Sequence, residues 1–120
     1  GPIYMKRSLN LEGSASEIFL RAADVIETMI EEITVKEPEP KDQQGTPVFF
    51  SRRTPEQSDL KEVRIANLDD FFNFIRMLDA PTYPLAFMEY ADFLLEFSHA
   101  QLLDDSIEAR VTIRPKDDLQ

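Results

Sequence analysis

The sequence predicts an α+β chain, and three observations carry that reading. Apolar residues recur at three- and four-residue steps over 14–33 and again over 67–79, strand-length runs close the chain between Leu85 and Ile113, and prolines and acids punctuate the joins. With 120 residues and 42% hydrophobic content, the chain has room for one modest core, or for two small subdomains.

The elements follow in order. "PIYMKRSLNLEG" is an extended piece in which Ile3, Tyr4, Met5, Leu9 and Leu11 supply apolar contacts until Gly13 breaks it. The next stretch, "GSASEIFLRAADVIETMIEEI", opens with Ser14 and Glu17 at capping-box spacing. It continues with Ile18, Ala22, Ile26, Met29, Ile30 and Ile33 on one helical stripe. "VKEPEPKDQQGTP", with its three prolines, reads as a surface connector. "PVFF" and "LKEVRIA" are strand-like, on either side of the Pro55 turn.

"NLDDFFNFIRMLD" is a short helix capped by Asn67, with an inner face of Leu68, Phe71, Phe72, Ile75 and Leu78 and with Phe74 turned toward a second surface. Pro81 ends it, because the residue before a proline avoids helical geometry. "LAFMEYA", "FLLEFSHAQL" and "SIEARVTI" are strands, the last placing Ile107, Ala109, Val111 and Ile113 on a dry face. "RPKDDLQ" is a frayed acidic tail.

Composition excludes several chemistries. The formal charge of −10 argues against a broad phosphate-binding surface, so any anion site must be local. The absence of cysteine removes a thiol nucleophile and a thiolate metal site, and it fits a cytoplasmic location. Apolar runs are too short to span a bilayer. His99 is the single histidine and has no second histidine or cysteine with which to share a metal, so a structural or surface role is expected. The paired acids at 31–32, 69–70, 104–105 and 117–118 fall on helix faces, caps, turns and the tail. Three isolated glycines form no phosphate-cradling loop. From its residues, this is a polypeptide without its own catalytic apparatus.

"GPIYMKRSLNLEGSASEIFLRA", "FFSRRTPEQSDL" and "IRMLDAPTYPLAF" together resemble the second half of formyltransferases that use 10-formyltetrahydrofolate, particularly those acting on nucleotide-linked amino sugars. The resemblance spans nearly the whole chain and is specific in its combination of motifs, since each alone is weak. It implies that residues 1–36 are the terminal strand and helix of a Rossmann-like catalytic domain. It further implies a linker at 37–47, a small OB-like C-terminal subdomain at 48–114 and a tail at 115–120.

The family's catalytic Asn, His and Asp match no position here. The chain alone is therefore expected to be inactive and to bind no cofactor, with 10-formyltetrahydrofolate implied for the parent enzyme. The missing catalytic domain is the implied partner. A homodimer through the C-terminal sheet or an exchanged N-terminal helix is a second expectation, because an open sheet edge and an orphaned apolar stripe both invite pairing.

Methionyl-tRNA formyltransferases share the resemblance. Residues 67–113 carry only Arg76 and Arg110 among a majority of acids, which favours the amino-sugar branch over nucleic acid, because one or two arginines suffice for a diphosphate. The candidate substrate or interdomain contacts are Arg52, Arg53, Arg76 and Tyr83. Arg52 and Arg53 are adjacent on extended backbone, so at most one faces any given site. The competing reading pairs them with Glu56 or Asp59. Arg76 is one turn from Phe72 and three residues from Asp79, which favours a stacked or ion-paired arginine. Tyr83 lies between two prolines, where filling the turn competes with an exposed contact.

Overall fold

A computed structural model describes residues 1–119. Gln120, the last residue of the predicted tail, lies outside the described residues. The chain divides into two compact units. The first comprises Gly1–Glu12 and Glu17–Arg52, and the second comprises Gly13–Ser16 and the residues from Arg53 on.

In the first unit, the predicted helix is α1, Ala15–Lys36, whose opening residues Ala15 and Ser16 group with the second unit. It ends where Glu37 takes a left-handed φ of 43° and its N–H donates to the Ile33 carbonyl at 2.9 Å. Pro38, with no N–H and a fixed φ, follows at the position where helices stop. The extended N-terminal segment contributes one bridge, Ile3 to Lys41, with reciprocal bonds of 2.7 and 2.9 Å. Arg21 ties this segment to α1 by donating to the carbonyls of Asn10 and Glu12. Arg7 reaches Glu32 at 2.6 Å, and Lys36 reaches the same carboxylate at 3.3 Å. Arg7 first, by its hydrogen bond, and Lys36 second hold the Glu32 carboxyl below the usual range.

The strand expected at "PVFF" does not form. Val48, Phe49 and Phe50 stand 72, 92 and 90% exposed on irregular backbone, since no segment among the described residues pairs with them and Pro47 lacks a donor. "LKEVRIA" is not a strand either. The Asp59 carboxylate accepts from the Lys61 N–H at 2.9 Å and its carbonyl accepts from Glu62, so a local turn replaces sheet pairing. Without these two segments, the described residues hold one three-stranded antiparallel sheet beside the helices, consistent with the α+β class.

The second unit is built from the 3₁₀ turn Pro55–Ser58, helix α2 (Leu68–Leu78) and strands β1 (Ala86–Tyr90), β2 (Phe93–Leu102) and β3 (Ile107–Pro115). The strands form one antiparallel sheet in the order β1-β2-β3. Asn67 caps α2, its Oδ1 accepting from the Asp70 N–H at 2.8 Å. Asp70 reaches back to the Ala66 N–H at 3.2 Å. The stripe buries Ile75 and Leu78 to 1 and 2% exposure against Ala86, and Phe71, Phe74, Phe97 and Ala100 pack around them. Phe74 packs against this core with one part of its ring and leaves another part open, and Leu68, assigned to the inner face, is 41% exposed.

Between Ser98 and Gln101, β2 slips register. His99 sits in this bulge with φ 53°, and its backbone N–H donates to Asp79 Oδ2 at 2.7 Å. A carboxylate at the end of α2 therefore stabilises the irregular point of the sheet. On β3, the face expected to be dry is open, with Val111 43% and Ile113 62% exposed. Beyond the strands, Lys116 donates its backbone N–H to the Asp92 carbonyl and its ammonium to Glu89 at 2.9 Å, so residues 116–119 form a 3₁₀ turn. No helix among the described residues is long and apolar enough to cross a membrane.

Candidate functional site

Within the second unit, the 3₁₀ turn and α2 flank an open cleft of about 460 Å³ lined by Arg53, Gln57, Glu62, Val63, Arg64 and Phe74. Its geometry starts with Pro55, whose fixed φ suits the first helical position. Thr54 N–H donates to Gln57 Oε1 at 2.9 Å, and Gln57 N–H returns to the Thr54 carbonyl at 3.1 Å. Hydrogen bonds from its own backbone amide and from the Thr54 hydroxyl hold the Glu56 carboxyl below the usual range. The turn is anchored beneath by Ser58, 1% exposed, whose hydroxyl donates to the Pro84 carbonyl at 3.3 Å. Next to it, Leu60 N–H donates to the Phe87 carbonyl of β1 at 2.8 Å.

On this support Arg53 is held twice. Its Nη2 donates to the Gln57 carbonyl at 2.5 Å, and its guanidinium carbon stands 6.0 Å from the centre of the Phe74 ring. Phe74 is itself fixed by the α2 core, so the guanidinium rests on a rigid wall. Arg64 lines the same cleft and makes no hydrogen bond or ion pair among the described residues. The one carboxylate in the lining is Glu62. Two guanidiniums against one carboxylate give a locally positive recess on an acidic chain, with the fork geometry that grips planar or tetrahedral anions.

The four candidate residues do not converge. Arg53 alone of them lines this cleft. Arg52 is exposed and makes no hydrogen bond or ion pair among the described residues. Arg76 donates to Asn73 Oδ1 and to the Gly13 carbonyl, each at 2.8 Å, and stacks 5.6 Å from the Phe72 ring centre. Tyr83, 49% exposed, sits in the turn with its N–H on the Ala80 carbonyl at 3.2 Å.

Sequence reasoning missed Arg64, because reading "LKEVRIA" as a strand hid the turn that presents it. The signal available was Asp59, a turn-forming residue just before that segment. His99 Nδ1 lies 3.0 Å from Ser98 Oγ, and no group of three or more metal-ligating side chains occurs among the described residues.

A second cleft of about 370 Å³, with Glu56, Asp59, Glu62 and Glu89 in its lining, is acidic. A third, of about 500 Å³, is an apolar groove between α2 and β3 that includes Phe71, Ile107 and Val111.

Comparison with known proteins adds three findings. Residues 55–114 match the family model for the C-terminal domain of methionyl-tRNA formyltransferase. The solved structure of methionyl-tRNA formyltransferase from Clostridium thermocellum is 42% identical and superposes with a TM-score of 0.88, covering 96% of this chain and 50% of that one. The chain thus spans about half the length of that relative. No curated protein sequence matches.

Proposed function

The chain belongs to the formyltransferase family, and from that premise we propose that it is the C-terminal part of an enzyme that formylates the amine of methionyl-tRNA. The observation that carries this reading is the match over almost the whole chain to a protein of that description. In it, residues 1–36 complete the catalytic domain, 37–47 connect, and 48–114 form the C-terminal subdomain. The catalytic domain is the partner, the donor is 10-formyltetrahydrofolate, and the site of action is cytoplasmic.

Chemically, the attacking amine must lose a proton while the formyl oxygen gains negative charge, so a base and a hydrogen-bond donor must meet at one carbon. We assign those groups and the donor site to the catalytic domain. This chain's share is to support that domain and hold the acceptor. Pairing of two copies, through the C-terminal sheet or an exchanged α1, is an accompanying proposal, and a strict monomer by light scattering at all concentrations removes it.

A second reading, with a nucleotide-linked amino sugar as acceptor, is favoured by charge. At −10, with two arginines in one recess, the chain is better suited to one diphosphate than to a run of phosphates. The test is formyl transfer by the full-length enzyme, with 10-formyltetrahydrofolate and each acceptor in turn. Formyl-methionyl-tRNA as product supports the first reading, whereas transfer to the amino sugar alone replaces it with the second. Transfer to neither overturns both.

A further inference from the structure

We infer that the cleft between the 3₁₀ turn and α2 is a phosphate-binding site, in which Arg53 and Arg64 together hold a phosphate or diphosphate group. Three observations converge on this. Arg53 is fixed in place by the Gln57 carbonyl and the Phe74 ring, so little side-chain freedom is lost when it engages an anion. Arg64 keeps its donors unused among the described residues while lining the same recess. The cleft is open to solvent, so a charged group reaches both guanidiniums without crossing an apolar barrier.

Glu62 is the opposing group. One carboxylate against two guanidiniums leaves the recess net positive, and Glu62 can accept from a ribose or sugar hydroxyl while the arginines take the phosphate. Phe74 and Val63 form the apolar part of the wall. Three other basic side chains of the second unit are already engaged: Arg76 with Gly13 and Asn73, Arg114 with Glu96, and Lys116 with Glu89. As the seat of the acceptor's phosphate, the site rests on the formyl-transfer reading. As an anion site, it does not.

The test is titration of the 120-residue chain with pyrophosphate, followed by NMR of the arginine Nε–H groups and backbone amides. A saturable shift centred on Arg53, Arg64 and Gln57 is expected, weakening as salt rises. Arg64→Gln, which removes no internal bond, should weaken binding about tenfold, the worth of one charge-assisted hydrogen bond. Arg110→Gln on β3 should leave it unchanged. Shifts that never saturate, or equal losses in Arg64→Gln and Arg110→Gln, overturn the site.

A nucleoside diphosphate and a short RNA hairpin then separate the two sources of phosphate by competition with pyrophosphate. Displacement by either supports the site, and displacement by neither overturns it as an acceptor subsite. Because binding is read without turnover, failure here leaves the formylation assay to judge the reaction on its own.

Discussion

Helices α1 and α2 carry the same kind of apolar stripe and meet opposite fates. In α2, Ile75 and Leu78 are 1 and 2% exposed, sealed by β1 and β2 residues that follow closely in sequence. In α1, Ile18 is 7% exposed near the start of the helix, but Ile26 and Ile30 farther along the stripe are 53 and 57% exposed. Periodicity reports that a helix has an apolar side, and it is silent on whether the covering surface lies in the same chain. A stripe followed at once by strands of matching length finds its cover locally, whereas the later turns of α1, followed by a proline-rich connector, do not.

The largest expected effect tests that contrast directly. Ile75→Ala empties a filled core position and should cost the second unit about 2–5 kcal/mol, read as a lowered urea midpoint. Ile30→Ala should change stability by no more than about 0.5 kcal/mol, since it removes half-exposed atoms from a helix. Comparable losses from the two would abolish the distinction between the helices.

A smaller effect sharpens it. Asn67→Ala removes the acceptor for the Asp70 N–H and should cost about 1 kcal/mol. The loss should appear as faster hydrogen exchange in the first turn of α2, with α1 unaffected. Uniform acceleration across both helices would mean that the two units unfold together.

What the sequence could reveal divides along the same line. β2 was legible to its ends, because Asp92 and the acids at 104–105 bracket a run whose partners lie one hairpin away on each side. The Asn67 cap was legible because capping is decided within four residues. "PVFF" and "LKEVRIA" misled because strand propensity without a partner is no strand, and in the second case Asp59 offered a competing turn. The site was half legible. Two adjacent arginines pointed at a local cation, yet placing Arg64 beside Arg53, and Phe74 beneath it, depended on that same turn. Arg76 was readable from Phe72 one turn before it, while its bond to the Gly13 carbonyl bridges a separation in sequence that no local pattern encodes.

The smallest effect compares the ion pairs of the two units. Glu89 is held below the usual carboxylate range first by its hydrogen bond with Lys116 and then by the charges of Lys116 and Lys61. Glu32 is held low by Arg7 and Lys36. For a carboxylate depressed in the folded state, the associated stability is present above the unfolded chain's pKa and is lost as pH falls through the folded value. Both pairs should therefore loosen only on acidification. Both side chains are solvated, so the effect is local rather than global. Carboxyl carbon shifts followed against pH should give Glu89 and Glu32 midpoints below that of an unfolded-chain glutamate. Lys116→Gln should raise the Glu89 midpoint alone toward that value and speed exchange of the amide that donates to the Asp92 carbonyl. If Glu89 already titrates as in the unfolded chain, the clasp after β3 is open in solution, and the end of the sheet is as uncovered as the stripe of α1.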